Sequence, residues 1–217
     1  MNIARVIIHN GSDPLIIDRS FIMFRDDAEG LRSISYAEYL QQSLAYGNML
    51  KSMKARLGIG SGQRFHVGVF MQNIPEFFFL LGGCAFTNAT LVGVNNAQVG
   101  EKLAFDINNI DMHVLFVDHA AQPGTKGTFL DTVMNARDVH GFSSLGEESI
   151  FSAVSPGGAY RGKIKTIHHI LEESASTQSS FTPEPLDPGQ PGVIIFTSGT
   201  TGAPKGIEVT WQKLFMM

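Results

Sequence analysis

An α/β fold, with mostly parallel sheet and helices on both faces, follows from three observations. Short apolar strands alternate with helical segments through the first half of the chain, the pattern of a parallel sheet with helical connections. The stretch from Phe77 to Gly100 carries no charge and is interrupted by glycines and asparagines, as in a buried helix followed by a buried strand. Across all 217 residues 43% are hydrophobic and only 17% charged, short of the usual ~25% charged, so a sizeable core is expected.

The elements are expected in this order. Phe21 to Phe24 and Leu31 to Ser35 form a hairpin around the turn residues Asp26-Asp27-Ala28-Glu29-Gly30. Ser35 and Glu38 form a capping box that opens a helix. Tyr36, Leu40, Leu44, Gly47, Leu50, Met53 and Leu57 recur at helical spacing, and Gly58 ends the run. Gly58, Gly60 and Gly62 are read as a helix end plus a turn, because a dinucleotide fingerprint needs another spacing and a preceding strand. Phe65 to Met71 is a strand. Asn73 is expected to cap the next helix, with Pro75 in its first turn, where a missing N–H costs nothing. Leu91 to Val94 is a strand, Glu101 to Asn109 a helix and His113 to Val117 a further strand. Phe129, Leu130, Val133 and Met134 mark one helix within 124–162. Ile164 to Glu173 reads as a short strand running into a short helix. Residues 174–192 hold Pro183, Pro185, Pro188 and Pro191 among polar residues, the composition of a long loop. A last helix is expected from about Thr210.

Composition excludes several function classes. A disordered or fibrous chain would need low hydrophobicity or a simple repeat. The net charge is −4 with no cluster of Lys or Arg, so no nucleic-acid partner is expected. The single cysteine, Cys84, rules out an internal disulfide and a cysteine zinc framework, and is expected to be a buried, inert thiol. Met1 to Gly11 lacks the apolar core of a leader segment, and the polar breaks between Phe77 and Gly100 argue against a membrane span. A cytoplasmic protein is expected, with a peripheral membrane contact left open. His168-His169 lacks a third ligand at useful spacing and reads as surface. Gly124-Thr125-Lys126-Gly127-Thr128 reads as a surface turn, and Phe77-Phe78-Phe79 as core rather than the lining of an acyl channel.

One segment carries chemistry. Val193-Ile194-Ile195-Phe196 runs directly into Thr197-Ser198-Gly199-Thr200-Thr201-Gly202-Ala203-Pro204-Lys205-Gly206. Its glycines let successive backbone amides approach and surround an anion, its hydroxyls add donors, and Lys205 adds a point charge suited to polyphosphate. The Walker A spacing is absent, so a P-loop NTPase core is not expected. No metal ligand is read from the residues.

From Thr197 to Gly206 the chain resembles the signature phosphate loop of the adenylate-forming superfamily: acyl-CoA synthetases, luciferases and peptide-synthetase adenylation domains. The resemblance extends to Ile34-Ser35-Tyr36-Ala37-Glu38-Tyr39, Gly60-Ser61-Gly62-Gln63-Arg64-Phe65, Asn73-Ile74-Pro75-Glu76-Phe77, Leu91-Val92-Gly93-Val94-Asn95 and Leu115-Phe116-Val117-Asp118. Val94-Asn95-Asn96 and Gly100-Glu101 lean toward the fatty-acyl-CoA ligase and fatty-acid transport branch. The resemblance implies ATP-dependent activation of a carboxylic acid as acyl-AMP, then a thioester with CoA, with Mg²⁺ assisting. It assigns Thr197, Ser198, Gly199, Thr200, Thr201, Gly202 and Lys205 to the ATP phosphates. Trp211 stands where the family commonly has His near the acyl pocket. The family's later motifs and small C-terminal domain are not met before Met217. Residues 1–217 are therefore expected to be an incomplete N-terminal AMP-binding domain, with 174–192 a loop inside it, inactive alone and prone to self-association. A catalytically incomplete remnant or a nucleotide-phosphate-binding module is the alternative.

Overall fold

The computed structural model describes residues 2–26, 29–60, 62–153, 156, 160–177, 181–197 and 205–216. It opens on a helix not expected from the sequence, α1 (Ile3–Ser12). The Asn2 side chain accepts the Arg5 amide at 3.0 Å and caps it. Ala4, Ile7 and Gly11 are buried at helical spacing, and the absence of a side chain on Gly11 lets Leu40 of the next helix close in.

Strands β1 (Ser20–Asp26) and β2 (Gly30–Ser35) form the expected antiparallel hairpin. The capping box is present: Ser35 Oγ accepts the Glu38 amide at 3.2 Å, and Glu38 accepts the Ser35 amide at 2.7 Å. It opens α2 (Tyr36–Arg56). The buried side of α2 is broader than the expected stripe. It runs through Tyr39, Ser43, Tyr46, Gly47, Leu50 and Met53, while Leu57 is exposed. The reason is that α2 is gripped by several helices, α1 among them, rather than by one. Gly58, at φ +69°, follows the helix as a turn residue, as expected.

The central sheet holds β3 (His66–Phe70), β4 (Thr90–Gly93), β5 (Val114–Val117), β6 (Ile150–Ser152), β7 (Pro191–Thr197) and β8 (Lys205–Thr210) in the order β6-β5-β3-β4-β7-β8. Neighbours from β6 to β7 are parallel, and β8 runs antiparallel to β7. Connections are α3 (Pro75–Thr87), α4 (Gly100–Asn109), α5 (Phe129–His140) and α6 (Ile167–Thr177), with α7 (Trp211–Met216) last. On one face Val67, Leu91, Val114, Phe116 and Val193 join side chains from α1, α2, α3 and α6. On the other, Val92, Leu115, Val117 and Ile194 meet Leu103 and Ile107 of α4 and Phe129, Leu130 and Val133 of α5. Each fully buried Leu, Val or Phe contributes about 1.5–3 kcal/mol relative to exposure.

Three expectations are corrected. The helix cap falls on Ile74, not Asn73, with no side-chain bond, because Pro75 at the first helical position forces its predecessor into the extended region. Ile164 lies in no strand; near it only Thr166 makes an isolated bridge, to Ser152. Strands β6 and β8 are additions, β6 because three residues leave no periodicity to read. The Phe77–Gly100 stretch resolves into α3 and β4 as expected, and among the described residues no helix is long and apolar enough to cross a membrane. Cys84 is fully buried and burial raises its thiol pKa, as an inert core thiol requires. The segment 181–190 lies against the ends of α2 and α3. Glu184 donates its amide to Phe86 O at 2.7 Å and holds the buried Lys54 ammonium at 3.1 Å.

Two titratable groups, half-buried His113 and fully buried Asp106, are set by packing. The His66 amide donates to His113 Nδ1 at 3.2 Å, which requires that nitrogen unprotonated. Burial first, and His66 second, lower the His113 pKa, against an opposing pull from Asp111. Asp106 of α4 is fully buried with neither carboxylate oxygen hydrogen-bonded, and burial lifts its pKa to about 6. A raised carboxyl favours the protonated form in the fold, so its contribution is fully present below the ordinary value near 3.8 and is lost as pH rises through about 6. Asp106→Asn is therefore expected to stabilise the chain at pH 8 by about 1–2 kcal/mol, since a tenfold change in proton affinity is worth about 1.4 kcal/mol. The gain should vanish near pH 4. Urea unfolding at the two pH values measures this, and an equal effect at both would exclude ionisation as the cause.

Candidate functional site

The carboxyl ends of β3, β4, β5 and β7 share one edge of the sheet, where open α/β folds bind ligands. β7 is held in the sheet by its ladder to β4 and, at its amino end, by Thr90, whose hydroxyl donates to Pro191 O at 2.8 Å. Thr197 ends β7 and Lys205 opens β8, and the two are direct cross-strand partners. The two ends of segment 198–204 therefore meet at this edge. Ser198, Gly199, Thr200, Thr201 and Gly202 lie outside the described residues, as do Ala203 and Pro204. Lys205 is exposed.

Behind the hairpin, Gly192 is the seat of Trp211. A side chain at Gly192 would meet the indole at 2.6 Å, so only glycine lets the ring lie on β7. Trp211 is 1% exposed, and its amide donates to Gln190 O at 3.0 Å. It anchors α7 to β7 as a core residue.

Loops at the same edge are knitted by residues that sequence reasoning missed. Gln122 is buried and donates to Asn96 O at 2.8 Å and Gln98 O at 3.3 Å, while its amide oxygen accepts the Thr132 hydroxyl. Asp118 accepts the Ala120 amide at 2.9 Å and the Gln72 amide at 3.4 Å. Asp118 has a signal, as the acid closing an apolar strand. Gln122 has none, because its partners are backbone carbonyls from another loop.

A cleft of about 640 Å³ opens between the β1–β2 hairpin and the ends of β3, β5 and β6. Phe24, Arg25, Arg32, Ile34, Glu76 and Asp118 contribute to its walls. Burial above all raises the Glu76 pKa; its own backbone amide opposes this and the Asp118 charge adds to it. The strands that end at this cleft lie on the far side of β4 from β7.

Of the remaining candidates, the histidines and the 124–128 turn take the structural roles expected of them, while of Phe77-Phe78-Phe79 only Phe79 is buried in the core. His168 and His169 are exposed on α6 and pair with Glu172 at 3.0 Å and Glu173 at 3.1 Å. Thr128 closes the 124–128 turn and caps α5 through a box with Asp131. Phe79 is buried against Tyr46 at 5.6 Å, whereas Phe78 is 37% exposed. Among the described residues no three His, Cys, Asp or Glu are grouped to hold a metal ion.

Comparison with known proteins agrees with this geometry. The chain is 28% identical over 193 residues to steroid-22-oyl-CoA synthetase of Rhodococcus jostii (strain RHA1), covering 87% of this chain and 30% of that protein. It is 24% identical over 181 residues to long-chain-fatty-acid–CoA ligase 1 of Homo sapiens, covering 83% of this chain and 25% of that protein. The chain thus spans under a third of the length of these relatives. The crystal structure of the anthranilate CoA ligase AuaEII in complex with anthranoyl-AMP superposes with a TM-score of 0.70 at 18% identity, covering 98% of this chain and 35% of that one, which establishes the shared fold. Residues 17–217 match the AMP-binding enzyme family, so the chain belongs to that family.

Proposed function

We propose that this chain supplies the ATP-phosphate loop of an acid–thiol ligase that activates a carboxylic acid as acyl-AMP and passes the acyl group to CoA. The observation that supports this reading most directly is the cross-strand pairing of Thr197 with Lys205, which brings the residues flanking the Gly/Ser/Thr-rich segment together at the carboxyl edge of a family-matched sheet. Consecutive amides of such a segment, with the hydroxyls of Thr197, Ser198, Thr200 and Thr201 and the Lys205 ammonium, suit the β- and γ-phosphates of ATP.

The chemistry balances without a covalent protein intermediate. The substrate carboxylate attacks the α-phosphorus of ATP, the bond to the bridging oxygen breaks, and pyrophosphate leaves. The CoA thiolate then attacks the acyl carbon and AMP departs. In the first step the loop's task is to hold the phosphates in line and stabilise the charge moving onto pyrophosphate. The acid is already ionised, so no general base is assigned. Mg²⁺ would supply charge neutralisation on the phosphates, and none of the described residues is assigned to it. The relatives act on a steroid acid, a long-chain fatty acid and anthranilate by their names, and the Val94-Asn95-Asn96 stretch favours a fatty acid for this chain.

ATP–pyrophosphate exchange tests the reading, using a polypeptide that carries this chain with the remaining length of its relatives. Exchange dependent on an added acid is expected, strongest with fatty acids in a panel that includes acetate and aryl acids. No exchange with any acid would favour a phosphate-binding module instead.

A further inference from the structure

We propose that Gln122 is a positioning residue for adenylate formation, holding the turn at 94–99 in place beside the phosphate segment. The inference rests on the reading of segment 198–204 as the ATP-phosphate site. The register of the sheet makes turn and segment neighbours. β4 and β7 are parallel, with Gly93 aligned to Ile195. Two residues beyond that pair lie Asn95 on one side and Thr197, the last residue of β7, on the other. The turn and segment 198–204 therefore leave adjacent strands at one level of the carboxyl edge.

Asn95 shapes the turn. Its side chain accepts the Ala97 amide at 3.0 Å, and its carbonyl accepts the Gln98 amide at 3.0 Å. The carbonyls of Asn96 and Gln98 take their donor from another loop, Gln122, at 2.8 Å and 3.3 Å. The Asn96 side chain donates to Met71 O at 3.5 Å, which ties the turn to the end of β3 as well. Chemistry fixes which way the Gln122 amide faces. Carbonyl oxygens only accept, so its NH₂ group must face the turn, and both hydrogens are used. Its oxygen is thereby directed to α5, where the Thr132 hydroxyl donates to it. Gln122 is buried, so the amide has no solvent with which to trade these bonds. The turn differs, since Asn95, Asn96 and Ala97 are exposed. Water would satisfy carbonyls there nearly as well as a side chain does, so what Gln122 adds is a fixed position. Position matters to the chemistry, because a misplacement of about 1 Å far from the reacting atoms can cost about a hundredfold in rate.

The test uses a polypeptide that joins this chain to the remaining length of its relatives, with the two half-reactions measured separately. Gln122→Met keeps the length of the side chain and loses every bond it makes to the turn. It should slow acyl-adenylate formation at least about tenfold, well inside what misplacement can cost. Thioester formation from supplied acyl-AMP should be nearly unchanged. A general loss of folded protein would not produce that split, since it lowers both steps alike. Thr132→Val leaves Gln122 in place but frees its amide to turn, and should give a smaller loss with the same split. Gln122→Glu supplies a signature in pH. An ionised carboxylate faces two carbonyls and donates to neither, whereas the protonated acid donates to one, and burial favours the protonated form. Its adenylation rate relative to the unaltered polypeptide should therefore recover as pH falls from about 8.5 to about 6, while the Gln122→Met deficit stays constant. Equal losses in both half-reactions, no loss in either, or a Gln122→Glu deficit indifferent to pH would overturn the inference. An unaltered polypeptide without acid-dependent ATP–pyrophosphate exchange would overturn the phosphate reading and this inference with it. Exchange in the unaltered polypeptide, together with any of the first three results, would refute this inference alone.

Discussion

Lys205→Ala is expected to slow acyl-adenylate formation at least about tenfold while weakening ATP binding less, a tenfold change being about 1.4 kcal/mol in barrier height. Lys205 opens β8 directly beside the end of β7, so its ammonium is carried by a strand rather than by the loop's interior. That charge is expected to matter most as negative charge grows on the departing pyrophosphate. An interaction that strengthens in the transition state raises the rate, whereas one equally strong in the ground state only lowers KM. Thioester formation from supplied acyl-AMP should be nearly unchanged, because pyrophosphate has already left. Single-turnover kinetics separates the half-reactions, in a polypeptide joining this chain to the remaining length of its relatives. A variant that adenylates normally but transfers poorly to CoA would remove this loop from pyrophosphate.

What is legible in the sequence follows from how local each signal is. The Ser35–Glu38 box, the helical spacing in α2 and the apolar runs of β3, β4 and β5 are contained within a few residues, and all became the expected elements. β6 did not, because Ile150–Ser152 is a strand only by virtue of its ladder to β5. β8 is hidden for a related reason. Its exposed and half-exposed residues show no burial pattern, and its existence depends on pairing with β7 across segment 198–204.

The site is legible in its chemistry and not in its setting. Hydroxyls, glycines and a lysine within ten residues are the composition on which the proposed phosphate loop rests. The residues that hold the surrounding edge are another matter. Gln122 acts by donating to carbonyls of Asn96 and Gln98, more than twenty positions away, and no composition predicts such a bond. Trp211 illustrates the converse. It stands where the family commonly has His, and it is Gly192 on the neighbouring strand, not anything beside it in sequence, that makes room for its indole in the core.

Gly82→Val should cost about 3 kcal/mol or more of stability, the upper end for overpacking a close contact. Gly82 and Gly83 lie where α3 crosses α2. A Cβ at Gly82 would come within 2.7 Å of Ser43 Cβ and 3.2 Å of the Tyr39 hydroxyl, and the two branches of valine would press further into both. Ser43 Cβ is fixed to the helix backbone, so it yields only if the helices separate. That separation would also loosen the buried Tyr39, Tyr46 and Phe79 cluster. Removing a flexible helix glycine would otherwise help by up to about 1 kcal/mol, so the sign of the effect is itself informative. Gly93→Ala is the control, since its Cβ would meet only Ile194 O at 3.8 Å, and it should change stability by less than about 0.5 kcal/mol. The milder Gly82→Ala, combined with Ser43→Gly, opens space on the facing helix for the new methyl. The pair should be less destabilising than the sum of its parts, with a coupling of about 1–2 kcal/mol. Calorimetric melting of Gly82→Val, Gly93→Ala, Gly82→Ala, Ser43→Gly and the double variant decides the matter. Additive losses would mean that α2 and α3 are not held at the distance set by this glycine.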